Sequence, residues 1–336
     1  MKRILVINVN WLGDVIFSIP VFKALRQAYP QAHIVCMAVP RVREVLECVE
    51  EIDDIIEYDE KGKHWTPWGK WGLIMKLRRE QFDAAFLLHG SKTRALLASW
   101  AGISQRIGYD TKGRSKYLTK AISVPKESLH RADYYLRVIE EAGIKVHDKT
   151  PELKISEEAK EEVKELLCRK GVAESESFIV INPGGNWNLK QWPKEKFIKL
   201  VRQLAQHDQR KMVISGAKKD EALAADIAEG LGEKVSVVAG ETTLKQLMAL
   251  MARADIVISA DSGPLHLANS VGTKTIALFG PTRPEITGPR GSAKVGLLQH
   301  DVGCNRQACY YLECPDNVCM QAITVNEVEK AVKALE

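Results

Sequence analysis

Nothing in the 336 residues is apolar for long enough to cross a membrane: runs such as residues 84–88 fall far short of the ~20 that a spanning helix needs. The basic, apolar start of the chain is broken by Asn8, Asn10 and Asp14 before a signal-peptide core can form, so a cytoplasmic protein that begins at Met1 is expected. Charge of one sign is also scarce. A count of 48 Lys and Arg against 43 Asp and Glu leaves +5, too mild to argue for nucleic acid but suited to handling phosphates or visiting an anionic surface. With 45% hydrophobic and 27% charged residues, disorder is excluded, as are collagen and a small disulfide scaffold. Two phosphate-binding signatures are missing as well. No G-x-G-x-x-G follows the first strand, which weakens a nicotinamide-dehydrogenase reading, and no G-x-x-x-x-G-K-[ST] occurs, which removes a P-loop NTPase.

What the chain has is alternation. Residues 4–9 form a short apolar run, a polar turn Asn10-Trp11-Leu12-Gly13-Asp14 follows, and apolar positions then recur at helical spacing up to Tyr29-Pro30. The pattern repeats with strands at 33–39, 55–58, 82–88 and 106–109, helices near 41–49 and 93–100, and a closing helix at 134–142. Residues 143–153 are polar and read as a linker. Beyond a charged helix at 157–170 the alternation restarts, with strands at 178–182, 211–215, 235–238, 255–259 and 275–279, each ending in a glycine-bearing loop. Alternating strands and amphipathic helices argue for parallel sheets covered on both faces. The expected fold is α/β with two Rossmann-like domains, 1–150 and 151–336, whose sheets face a central cleft; the last helix can pack back on the first domain.

Three loops can carry chemistry. Asp14, at the tip of the first strand, is either a helix cap or a carboxylate that acts as general base. The run Asn182-Pro183-Gly184-Gly185-Asn186-Trp187-Asn188-Leu189-Lys190-Gln191-Trp192-Pro193 joins glycines, a lysine and a helix start, which suits a diphosphate; otherwise Lys190 is a solvated charge. Asp261-Ser262-Gly263-Pro264-Leu265-His266-Leu267-Ala268 puts small residues and His266 at another helix N-terminus, where anions are stabilised. Gly280-Pro281-Thr282-Arg283-Pro284 ends the next strand and shifts His266 from a structural role toward a shared anion site.

Taken in order, Gly13-Asp14 with Pro20 behind it, Lys190-Gln191-Trp192-Pro193, the 261–268 turn and the 280–284 loop resemble the signature set of the glycosyltransferase family 9 heptosyltransferases. The likeness spans essentially the whole chain. The tail Glu313-Cys314-Pro315 with Cys319-Met320 is closer to the heptosyltransferase II branch than to I. The resemblance implies a GT-B fold, an ADP-L-glycero-D-manno-heptose donor, the heptosylated Kdo–lipid A inner core of lipopolysaccharide as acceptor at the inner membrane's cytoplasmic face, and inverting transfer with no metal or other cofactor. The absence of a D-x-D pair at a strand end agrees. It also implies roles: Asp14 as base, Lys190 and Asn186 on the donor phosphates, and Asp261, Ser262 and Gly263 holding donor sugar and diphosphate. His266 and Thr282 would support that site, and Asp220 or Glu221 would hold the ribose. Family members often have threonine or serine where Gly185 and Asn186 stand. An ordinary carboxylate is a weak base for a sugar hydroxyl, so positioning and stabilisation of the departing ADP should supply most of the acceleration.

Trp65, Trp68 and Trp71 stand among Lys63, Lys70, Lys76, Arg78 and Arg79, the composition of a segment that touches anionic headgroups transiently, or of a solvated basic face. Lys112, Arg114 and Lys116 suit the acceptor's phosphates and carboxylates on the same terms. Cys304, Cys309, Cys314 and Cys319 are evenly spaced, unlike the tight pairs of zinc sites, so a structural cluster of thiols is favoured over a structural metal, and cytoplasmic disulfides are disfavoured. Three rival functions stand beside the leading one: heptosyltransferase I or another family 9 transferase, a sugar-nucleotide epimerase of GT-B-like fold, and a non-catalytic binding module.

Overall fold

Ile4, Leu5, Val6 and Ile7 are all wholly buried, and a strand apolar on both faces fits only the middle of a sheet covered on both sides. A computed structural model, which describes residues 1–304, 309 and 313–336, puts them there. The chain divides into two compact units, Met1–Lys154 and Ile155–Glu336. In the first, strands β1 (Arg3–Ile7), β2 (His33–Ala38), β3 (Asp54–Glu57), β4 (Ala84–Leu87), β5 (Gln105–Tyr109) and β6 (Lys120–Ile122) pair in parallel, in the order β3-β2-β1-β4-β5-β6. Helices α1 (Leu12–Ala28), α2 (Arg43–Leu46), α3 (Pro67–Arg79), α4 (Lys92–Trp100) and α5 (Arg131–Glu140) connect them. Leu73, Ile74 and Leu77 of α3 and Ala95, Leu97 and Ala98 of α4 close over one face of the sheet. Each buried Leu or Ile among them contributes roughly 1.5–3 kcal/mol. The helix α1 packs against α5 and buries all of residues 15–22, Pro20 included.

The second unit repeats the plan. Its strands β7 (Phe178–Asn182), β8 (Lys211–Ile214), β9 (Val235–Val237), β10 (Ile256–Ala260), β11 (Lys274–Leu278) and β12 (Val295–Leu298) are parallel in the order β12-β11-β10-β7-β8-β9. Its helices are α6 (Glu157–Arg169), α7 (Lys194–His207), α8 (Glu221–Ala228), α9 (Leu244–Arg253), α10 (Gly263–Ser270), α11 (Pro284–Thr287), α12 (Val318–Ala322) and α13 (Val325–Ala334). In both sheets the winding reverses beside the first strand, between β1 and β4 and between β7 and β10. Open doubly wound sheets bind ligands outside the carboxyl ends of their strands at that point. Four loops are thereby singled out, those after β1, β4, β7 and β10.

Two local expectations change. The helix expected near 41–49 is one 3-10 turn, Pro40–Val42, followed by the four residues of α2. The strands β6 and β12 were not foreseen, being short and, at the sheet edges, only partly buried. Val325, Val328 and Val332 of α13 join the core of the second unit.

Candidate active site

In the second unit the chain leaves β10 at Asp261, which is 3% exposed, and enters α10 two residues later. A buried carboxylate needs donors around it, and this one gathers four. Its Oδ2 accepts from Lys190 Nζ at 2.6 Å, Thr282 Oγ1 at 2.6 Å and Thr287 Oγ1 at 3.1 Å, while Oδ1 lies 3.2 Å from His266 Nε2. An ionised carboxylate only accepts, so that His266 nitrogen carries the hydrogen. Burial alone would raise the Asp261 carboxyl; the His266 hydrogen bond and the Lys190 charge outweigh it and hold the group well below the usual range. Ser262 caps α10 without a side-chain bond to its first turn; its hydroxyl lies 3.1 Å from that of Ser259.

The loop after β7 brings Lys190 to this carboxylate, and its motif divides the work. Gln191 Nε2 donates to the Gly185 carbonyl at 3.0 Å, and Trp192 Nε1 donates to the Ile323 carbonyl at 3.0 Å from a buried position against Phe197. Pro193 caps α7. Lys190 Nζ also stands 5.3 Å from the Trp187 ring centroid. A second lysine, unnoticed in the sequence, joins the loop: Lys219 Nζ donates to the Gly185 carbonyl at 2.7 Å and to Asn186 Oδ1 at 2.9 Å. The adjacent Lys218-Lys219 pair in a strand-end turn was the available signal.

The two ribose candidates separate. Asp220 is 8% exposed, accepts from the Ala217 amide at 3.0 Å, and lies so close to Gly184 that a Cβ there would run into its carboxylate. It braces the loops after β7 and β8 from within. The Glu221 side chain is half exposed and passes Gly240, whose φ of +75° and lack of a Cβ both suit that close approach. Thr282 is 1% exposed and its hydroxyl is committed to Asp261.

In the first unit Asp14 is the third residue of α1, and Trp11 is the residue that caps the helix. The carboxylate accepts from the Tyr135 hydroxyl of α5 at 2.8 Å, so the capping role is not the one its side chain plays. Burial, with the Asp14 charge beside it, pushes the Tyr135 hydroxyl far up, so it stays a donor. Arg94, wholly buried, donates to the Asn8 carbonyl at 2.6 Å and to Asn10 Oδ1 at 2.7 Å, and lies 3.3 Å from Glu60, which accepts from Asn10 Nδ2 at 3.1 Å. His89, just past β4, accepts at Nδ1 from the Ser91 amide. Burial and the charges of Arg94, Arg114 and Lys112 lower its pKa to about 3. Arg114 is the clearest correction. It is wholly buried, donating to the carbonyls of Tyr109 and His89, a strut between strand ends and not an acceptor-facing charge. Lys112 and Lys116 are exposed.

Of the clustered cysteines, Cys319 borders the loop after β11, where a Cβ on Gly280 would lie 3.3 Å from its sulfur. Cys304 and Cys314 are exposed, Cys309 and Cys319 partly buried, and all are free. Among the described residues no three His, Cys, Asp or Glu side chains are placed to hold a metal ion.

A family model described as glycosyltransferase family 9 (heptosyltransferase) matches residues 71–313, a span that holds Lys190 and Asp261 and begins after Asp14. The chain belongs to glycosyltransferase family 9. It is 28% identical to the lipopolysaccharide heptosyltransferase 2 of Salmonella typhimurium over 309 residues, 85% of either chain. A family 9 glycosyl transferase from Veillonella parvula superposes with a TM-score of 0.88 at 27% identity, covering 99% of this chain and 97% of that one. The E. coli ADP-heptose lps heptosyltransferase II does so with 0.82 at 25%, covering 100% and 98%. The protein is therefore a glycosyltransferase of the two-sheet, GT-B-like architecture.

Proposed function

We propose that this family 9 enzyme transfers L-glycero-D-manno-heptose from ADP-heptose to the heptosylated Kdo–lipid A inner core of lipopolysaccharide, with inversion and without a metal ion. The second unit takes the donor and the first the acceptor. The observation that carries this reading is the Asp261 centre, a buried carboxylate holding a lysine ammonium at a helix head, on the strand ends where such sheets bind ligands. An ammonium has three donors. One holds Asp261, and the others are available to the diphosphate, so positive charge reaches the leaving group already oriented. Asn186, Lys219, Ser262 and Gly263 complete the phosphate and sugar contacts, Glu221 binds the ribose, and His266 with Thr282 positions Asp261.

Asp14 removes the proton from the acceptor hydroxyl while that oxygen attacks the anomeric carbon and the bond to the β-phosphate oxygen breaks. The electron pair leaves on ADP, where Lys190 offsets the new charge. Lys112 and Lys116 meet the acceptor's anionic groups. The enzyme works in the cytoplasm at the membrane surface: residues 61–79 carry six Lys and Arg and no Asp or Glu, and Trp65, Trp68 and Trp71 are 69%, 84% and 52% exposed.

The test is calorimetric titration with ADP-heptose, ADP-mannose and UDP-glucose in EDTA, beside turnover of the variant Asp14→Asn. ADP sugars alone should bind, and the variant should bind donor normally while losing at least roughly a thousandfold in turnover. Preference for UDP-glucose, a requirement for a divalent ion, or an active Asp14→Asn enzyme would each overturn its part of the reading.

A further inference from the structure

Trp11 sits in the loop after β1 with 58% of its surface exposed. It stands at a strand end of the switch point, three residues before Asp14, with a large aromatic surface open to solvent. It is also held in place. The Arg41 guanidinium lies 4.4 Å from the centroid of its indole ring, and Arg41 Nε is itself tied to the Asn10 carbonyl at 3.0 Å. On the other side of the same residue, Arg94 and Glu60 grip the Asn10 side chain. Two arginines and a glutamate therefore immobilise the backbone that leads into Trp11, and one of those arginines stacks on the ring. Of the other four strongly exposed tryptophans, Trp68, Trp71 and Trp100 lie on α3 and α4 and Trp65 just before α3, away from this loop in the chain.

We propose that Trp11 is a stacking platform for the pyranose ring of the acceptor, a sugar-binding subsite beside the base. This rests on the reading of Asp14 as the base. A base must come within about 2.6–3.2 Å of the hydroxyl it deprotonates, which places the ring bearing that hydroxyl against the start of α1. Trp11 is the residue that caps α1 and Asp14 is the third residue of that helix, so the indole and the carboxylate belong to the same first turn. One face of a pyranose is lined with C–H bonds, weakly positive and apolar, and these suit the negative face of an indole. Stacking would orient the sugar, and Asp14 would then select the hydroxyl. A platform fixed before binding loses little entropy when the sugar arrives, which is what Arg41 and the Asn10 network provide.

The experiment measures steady-state kinetics with a deacylated, water-soluble heptosyl-Kdo–lipid A core as acceptor, for Trp11→Ala, Trp11→Phe and a remote control, Trp100→Ala. Trp11→Ala should raise the acceptor KM at least roughly tenfold, about the size of one good ring contact. Its melting temperature and its Kd for ADP-heptose should not change. Trp11→Phe should recover most of the loss, and Trp100→Ala should behave as the unmodified enzyme. An unchanged acceptor KM in Trp11→Ala overturns the proposal. So does a defect seen only with the acylated acceptor in vesicles, since Trp11 would then be a lipid contact, or one accompanied by a change in oligomeric state. Asp14→Asn separates the two readings. If it remains active the base assignment fails, and the acceptor KM of the Trp11 variants still decides the platform.

Discussion

The two units share a strand order and differ in how their strand ends are wired. In the second, the Asp261 site joins local contacts, with His266 five residues from Asp261 and Ser259 three from Ser262, to one long reach, Lys190 from 71 residues away on the loop after β7. In the first, the polar residues at the switch point are drawn from distant parts of the chain, with Arg94 reaching back 86 residues to Asn8 and 34 to Glu60. The difference fits the two ligands proposed. A diphosphate asks for amides, which a tight turn at a helix start offers almost by itself, and for a cation, which Lys190 brings from the loop after β7. A sugar acceptor asks for a carboxylate and a platform held at fixed distances, which the loop after β1 supplies when braced from behind.

The sharpest way to break that comparison is to remove one cation from each unit. Lys190→Ala leaves Asp261 buried with three neutral or histidine donors, and should destabilise the second unit by about 2–3 kcal/mol. Affinity for ADP-heptose should fall roughly a hundredfold with it. Arg94→Met strands the Asn8 carbonyl, Asn10 and Glu60, and should cost the first unit about 2–4 kcal/mol while donor affinity stays unchanged. Calorimetric melting and donor titration of both variants check this. A loss of donor affinity in Arg94→Met would show that the two sites are not independently built.

This contrast is also what made one site readable and the other not. Asp261 and the glycines stand at the ends of apolar runs, which puts them at strand tips, and Lys190 follows in the motif between β7 and α7. Arg94 lies inside a helix with nothing to mark its partners, and Arg114, placed in a run of cations, looks like a surface charge until the chain folds over it. Tyr135 is one of two adjacent tyrosines, and only the packing of α5 on α1 brings it to Asp14. Burial is the common reason. Whether Thr282 or Asp220 touches a ligand or braces the residue that does depends on which side of a loop is covered, and spacing carries no record of that. The fold was easier because alternation is a local property; the edges β6 and β12 escaped it, having too few buried positions to show a pattern.

Acid should separate the units more gently. His89 has a folded pKa of about 3 against an ordinary value near 6.5. Between those values the unfolded chain binds the extra proton, so the stability tied to neutral His89 is complete above pH 6.5 and declines as pH falls toward 3. Asp261 is held well below the carboxylate range, so its contribution is present above about pH 4 and lost only as pH falls further, through its folded pKa. Melting followed from pH 7.5 to 4.5 should show the first unit weakening first. The variant His89→Gln should flatten that slope and leave the second unit's curve where it was; equal slopes in both units, or an unaltered slope in the variant, would contradict the assignment.

The smallest effect on turnover is expected at helix α3. Helix α3 exposes Trp68 and Trp71, with Trp65 just before it, while Leu73, Ile74 and Leu77 turn inward to the sheet. Indoles at the level of lipid headgroups gain from burying their rings while the N–H stays wet, and the cations of residues 61–79 add about 1 kcal/mol each near an anionic surface. The triple variant Trp65→Ser, Trp68→Ser, Trp71→Ser should therefore sediment poorly with phosphatidylglycerol vesicles and turn over a deacylated acceptor within about twofold of the unmodified enzyme. Phosphatidylcholine vesicles should bind either protein weakly, and raised salt should release the unmodified one. If the variant keeps its vesicle binding, the tryptophans belong to some other surface. If it instead loses turnover of the soluble acceptor, α3 serves the acceptor site directly, and the first unit's ligand surface extends well past the switch point.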